Sequence, residues 1–325
     1  MSITTRLTQR LGITHPVIQA PMDTIAGGRL ASAVSRAGGL GFLGGGYADD
    51  AEWFPREFAA AGNEAVGCGF ITWSLRKRPE LLAQVLERKP KAIFLSFDDP
   101  EPFASQVRAA GVPVICQIQT RADAIRAIEC GVDIIVAQGT EAGGHGGARS
   151  TLTLVPEIAD LIASQSPGTL LCAAGGIADG RGLAAALMLG ADGVVVGSRF
   201  WASDEALVSA NLHNAALAAR GDQTVRQSVL DIVRQRDWPA RYTGRVLRNE
   251  LIAEWYGRED ELRKNIGPAI ERYAQAQATA DPQTVAVIVG EAVGVIQSIE
   301  PAAVILERMI SEAETLLARG AKLVS

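Results

Sequence analysis

The chain has 325 residues, 48% hydrophobic and 21% charged, with a formal net charge of −5. That length suits two domains or one large α/β barrel, and it can bury a core without disulfide or metal staples. The acidic balance without a basic block, the 5% aromatic content and the absence of an apolar run of spanning length weigh against nucleic-acid and membrane partners.

The opening residues, MSITTRLTQRLGITHP, lack the apolar stretch of a secretion signal, which predicts a soluble, cytoplasmic protein. Eight short apolar runs follow in order. They are PVIQAPM (16–22), GLGFLGGG (39–46), AVGCGF (65–70), AIFLSF (92–97), PVICQIQ (113–119), DIIVAQG (133–139), LLCAAGG (170–176) and GVVVGSR (193–199). Each has the length and turn-bounded character of a strand buried on both faces. Stretches of helical length lie between them at 26–37, 50–62, 79–88, 100–110, 121–130, 154–163 and 179–189. Pro79 and Pro100 suit first helical turns, and Gly111, Gly131 and Gly190 suit helix ends. Strands alternating with helices imply parallel pairing, and eight such units predict a closed (β/α)8 TIM barrel in the α/β class.

After Arg199 the pattern changes. Residues 205–279 show no clear β run and carry Trp238, Tyr242, Trp255 and Tyr256 among Ala, Arg, Glu and Gln. They read as a helical substrate (cap) domain inserted after strand eight, with 1–204 and 280–325 forming the barrel. Asp281-Pro282 looks like an N-cap and first helical residue, 285–296 is ambiguous, and 301–317 has the period of a closing helix.

Barrel active sites form at the carboxyl ends of the strands. That rule selects Ala20, Pro21 and Met22 after strand one, Gln117 and Gln119 on strand five, and 139–147 after strand six. It also selects Gly175 and Gly176 after strand seven, and Gly197 and Ser198 after strand eight. The glycines of the last two loops, in the segments AAGGIADGRG and VVGSR, suit a phosphate, because backbone N–H groups can approach an anion there. His145 sits among Gly143, Gly144, Gly146 and Gly147 at the same face and can exchange a proton near neutral pH. His15 and His213 read as structural. Glu141 either orients His145 or joins a loop network, and Asp179 and Arg181 read as a helix cap. Trp73, Trp238 and Tyr242 line a pocket or pack a core. Cys68, Cys116, Cys130 and Cys172 form no CxxC pair and read as buried free thiols, and no ligand set for a metal is visible.

QAPM, AGGLGFLGGG, AQGTEAGGHGG and AAGGIADGRGLAAALMLGADGVVVGSRF, taken together, resemble the nitronate monooxygenase family, formerly 2-nitropropane dioxygenases. The resemblance covers roughly 13–205. It implies an FMN-dependent oxidoreductase that takes alkyl nitronates and O2 to carbonyl compounds and nitrite. It places Ala20, Pro21, Met22, Gly69 and Gln117 near the isoalloxazine, and Gly139, Gly143 and Gly144 at its border. Gly175, Gly176, Gly197 and Ser198 would hold the phosphate, and His145 would be the base that deprotonates a neutral nitroalkane. Gly69 stands where similar proteins often carry Asn, and Gln117 where they often carry Lys, Thr or Ser. An FMN-dependent NAD(P)H reductase, of the enoyl-acyl-carrier-protein or quinone type, shares very similar EAGGH and AAGGIADGRG segments and is the first alternative. A non-redox barrel binding a phosphorylated ligand is the second. The Ala-rich outer helices are compatible with a homodimer.

Overall fold

All eight apolar runs form strands, joined by short extra ones. In a computed structural model that describes residues 3–47, 50 and 52–323, the strands are β1 (Val17–Gln19), β2 (Phe42–Gly44), β3 (Gly67–Ile71), β4 (Ile93–Ser96), β5 (Val114–Ile118), β6 (Ile134–Gln138), β7 (Gly144–Gly146), β8 (Leu170–Ala174) and β9 (Gly193–Val196). Eight of them lie parallel in the order β1-β9-β8-β6-β5-β4-β3-β2. A parallel bridge between Ile18 and Leu40 joins the two ends and closes the barrel.

That seam is thinner than the rest. Gln19 N–H donates to Leu40 O (2.9 Å), and Leu40 N–H donates to Val17 O (3.0 Å). Beyond these, the fully buried Gln19 side chain takes the place of a ladder. Its Oε1 accepts from Phe42 N–H at 3.0 Å, and its Nε2 donates to Ala20 O.

Strand alternation then sorts the interior into layers. Ile18, Phe42, Phe94, Ile115, Val136, Cys172 and Val195 point inward and pack together, while Leu7 and Leu11 of the helix Arg6–Leu11 plug the amino end. Phe42 and Phe94 meet edge to face at 5.7 Å. Two residues further along each strand, the inward positions are small or polar: Ala20, Gly44, Gly69, Ser96, Gln117, Gln138, Ala174 and Gly197. A larger apolar layer between sheet and helices surrounds this barrel, and the last helix, Ala302–Ala321, packs on Gly180–Met188 and Gly28–Arg36.

Gly111, Gly131 and Gly190 follow their helices with φ of 71°, 67° and 95°, as stop signals should. Other boundaries differ from expectation. The helix after β4 begins at Phe103, so Pro100 precedes it. Asp281-Pro282 opens a turn, in which Asp281 accepts from Gln283 N–H, and the chain then runs irregularly to a short 3₁₀ turn at Glu291–Val295.

The inserted region is not wholly helical. Alongside helices such as Glu250–Trp255 and Gly267–Thr279, it contains β10 (Thr224–Gln227) and β11 (Thr243–Leu247), an antiparallel pair. These strands are short, each with one valine on the core face and one arginine on the other, Val225 with Arg226 and Val246 with Arg245, which leaves little periodic signal. Val225 and Val246 face a separate cap core with Leu230, Leu251 and Ile252. Among the described residues no helix is long and apolar enough to cross a membrane.

Replacing Gln19 by Leu leaves the buried Phe42 N–H without an acceptor. The expected loss is about 1–3 kcal/mol, read as a lowered denaturant midpoint with an unchanged slope.

Candidate active site

The glycine-rich segment after β6 is a strand shared between barrel and cap. β7 pairs antiparallel with β11, matching Gly144 to Arg245, His145 to Gly244 and Gly146 to Thr243. Glycine is required on this path. Gly144 has φ of 74°, and a Cβ on Gly143 would lie 2.6 Å from Gly290 N. Two arginines tie the segment down from the cap side. Arg226 Nε and Arg245 Nε both donate to Thr140 O, at 3.1 and 2.9 Å. Burial, then the Arg245 charge, pushes the Arg226 pKa down to about 10.

His145 is thereby held at the barrel mouth with defined neighbours. Its Nε2 lies 2.8 Å from Asp231 Oδ2, and both side chains are nearly buried. Its ring stacks on Trp238, with centroids 3.4 Å apart and planes 6° from parallel. Gln138 Nε2 donates to His145 O at 3.1 Å. Burial lowers the His145 pKa from its ordinary 6.5, and the Asp231 hydrogen bond opposes that shift. The imidazole is therefore neutral near pH 7 and able to accept a proton. Around it, Trp238 Nε1 donates to Tyr47 Oη at 2.7 Å, and Phe97, Trp73 and Tyr242 complete an aromatic cluster. Burial pushes the Tyr47 phenol up to about 12.

Below His145 lies a cavity of about 380 Å³. Its floor is the small and polar inward layer of the barrel. Ala20, Pro21, Met22, Gly69, Gln117, Gly143, Gly144, His145, Gly175, Gly176, Gly197 and Ser198 all line it. Gly139 does not: a Cβ there would meet Thr151 Oγ1 at 2.0 Å, so its bare Cα serves packing behind the loop. Gly69 is bare for a similar reason, since a Cβ would fall 2.3 Å from Pro21. Gln117 and Gln119 both donate to Gln138 Oε1, at 3.1 and 2.9 Å, which orients the three amides together. Among the described residues no group of three or more His, Cys, Asp or Glu could hold a metal ion.

Several functional neighbours escaped the sequence reading. Asp231 lies 86 positions from His145 with no motif around it. Trp238 does line the cavity, one of the two roles its residue type suggested, but its stacking on His145 and the strand β11 beside it have no local signal. Gln138 was findable, because alternation makes it the inward residue two places beyond Val136, the register partner of Gln117. Glu141 does not touch His145. It caps the helix Thr151–Gln165, accepting from Thr151 N–H (3.0 Å) and Thr151 Oγ1 (2.9 Å). His213 bonds Trp201 O at 3.0 Å, a structural contact, and all four cysteines are free and buried.

The family model described as nitronate monooxygenase matches residues 4–53 and 58–312. The chain is 34% identical to the nitronate monooxygenase npaC of Metarhizium robertsii over 334 residues, covering 93% of this chain and 91% of that one. It is 31% identical to a nitronate monooxygenase of Neurospora crassa, covering 92% and 89%. In structure it resembles FabK from Thermotoga maritima, with a TM-score of 0.87 at 26% identity, covering 99% of this chain and 100% of that one.

If Glu141 serves as a helix cap, Glu141→Ala costs about 1 kcal/mol of stability in chemical denaturation, and the NMR titration of His145 keeps its midpoint.

Proposed function

The chain belongs to the nitronate monooxygenase family and is an oxidoreductase, and from that premise we propose that it uses FMN to oxidise alkyl nitronates with O2 to carbonyl compounds and nitrite. The family is one of flavoenzymes acting on small molecules with oxygen. The observation that carries the proposal is the placement of His145, almost buried, over a cavity whose floor is stripped of large side chains. A bound flavin supplies the electron acceptor and the reaction with O2.

The cavity suits FMN on its own features. A Cβ on Gly197 would meet only ordinary van der Waals neighbours, Ala20 Cβ at 3.7 Å and Met22 Sδ at 4.0 Å, so its absence widens the cavity without being forced by a clash. Ser198 Oγ accepts from Gly290 N–H at 2.8 Å, which leaves its own hydrogen to donate. Gly175 and Gly176 turn at φ of 101° and 75° beside it. We assign Gly175, Gly176, Gly197 and Ser198 to the phosphate. Ala20, Pro21, Met22, Gly69, Gln117, Gly143 and Gly144 are assigned to the ring. Gln117, with one amide hydrogen committed to Gln138, offers Oε1 as an acceptor and its second amide hydrogen as a donor. The buried free thiols accord with a reducing, cytoplasmic compartment.

His145 has work only with a neutral nitroalkane, whose α-proton must leave. A preformed nitronate has already lost it. The anaerobic visible spectrum before and after adding an alkyl nitronate is the first test. An oxidised flavin spectrum that changes on addition, with nitrite released once O2 is admitted, is expected. No nitrite from several nitronates would sink the proposal. Rapid bleaching by NAD(P)H without a response to nitronate would select the reductase reading. His145→Ala should lower kcat/KM for a neutral nitroalkane by about 10²–10⁴ and spare the nitronate. Because burial depresses the His145 pKa, nitroalkane turnover should hold as pH falls to 6.5 and decline only below it.

A further inference from the structure

One carboxylate reaches the site from the cap and has no place in the flavin cradle. Asp231 sits in the short helix Val229–Val233, where its N–H bonds Ser228 O and its O accepts from Arg236 N–H. Its Oδ2 lies 2.8 Å from His145 Nε2, with the two side chains 7% and 11% exposed. We propose that Asp231 is a positioning residue that keeps the proton of His145 on Nε2, so that Nδ1 is the atom that takes the substrate's α-proton. This deepens the reading above and rests on His145 acting as the base.

An ionised carboxylate can only accept a hydrogen bond, so Nε2 must donate. The neutral ring then carries its lone pair on Nδ1. That atom has no hydrogen-bond partner among the described residues, and His145 lines the cavity. Trp238 fixes the ring plane from one face by stacking. Carboxylate and indole together settle tautomer and orientation, the two variables a base must have right. In the step, the Cα–H bond of the nitroalkane breaks and its proton joins Nδ1. The electron pair passes into the nitro group, giving the nitronate, and the imidazolium later returns the proton to water. The charged groups facing the ring are Asp231, which favours the imidazolium, and Arg234 and Arg226, which oppose it. Tyr47 and Tyr242 stay neutral, since burial pushes both up to about 12.

The test compares wild-type, Asp231→Asn, Asp231→Glu and His145→Ala holoenzymes on a neutral nitroalkane and on its preformed nitronate across the acidic pH range. Asp231→Asn should lower kcat/KM for the nitroalkane about 10²-fold, leave the nitronate near wild type and move the acidic limb to lower pH. Asp231→Glu should recover much of the loss. Equal losses on both substrates, or none on either, would overturn the proposal. In the wild-type holoenzyme, ¹⁵N NMR of His145 should show the Nε2–H tautomer, and the Nδ1–H tautomer overturns the proposal without any variant. Unimpaired nitroalkane oxidation by His145→Ala would instead remove the base assignment itself, which Asp231→Asn cannot do.

Discussion

The pairing of β7 with β11 is the contact on which the site depends. Three residues, Gly144–Gly146, leave the barrel after β6 and complete a sheet whose other two strands belong to the cap. Barrel and cap therefore share a strand, and the shared strand carries His145. A histidine on a free loop would sample many positions. Here its backbone is hydrogen-bonded on one side to the cap sheet and on the other to Gln138 of the barrel, so the imidazole is fixed relative to both bodies.

The cavity beneath follows from the barrel's own arithmetic. Alternation sends every second residue inward, and the lower layer is filled by Phe42, Phe94 and branched side chains. The next layer holds five glycine or alanine positions, one serine and two glutamines that cannot fill the same volume, so the carboxyl end stays open. Gln117, Gln119 and Gln138 share hydrogen bonds, and Gln138 continues to the His145 carbonyl. The floor of the cavity and the base above it are thus joined by one amide cluster, which resists being half satisfied.

Charge is distributed so that the loop is held without protonating the histidine. Arg226 and Arg245 both spend a donor on the Thr140 carbonyl, and Arg245 also pairs with Glu291 at 2.9 Å. Burial of the ring and the positive charges of Arg234 and Arg226 act together against the imidazolium. Asp231 acts the other way through a single short contact. The balance keeps a neutral imidazole that can still be stabilised when it gains a proton.

The barrel was legible in the sequence because its signals are local. Each apolar run lies within one strand, each helix stop within a turn of its glycine, and the motif AAGGIADGRG lies within one loop. Most residues singled out at strand ends do line one cavity, since alternation and strand direction follow from backbone geometry alone. Gly139 departs because its neighbour is Thr151, brought back by the following helix. The cap strands were not legible: four and five residues with one arginine each carry no periodic signal, and they pair with each other and with β7. Nothing local marks Asp231 or Trp238 as partners of His145. Sequence by itself determined the eightfold barrel, the face that carries the site and the histidine at its mouth. Tertiary structure alone decided what orients that histidine, because a hydrogen bond and a ring stack between residues more than 80 positions apart depend on where the folded cap brings the chain back.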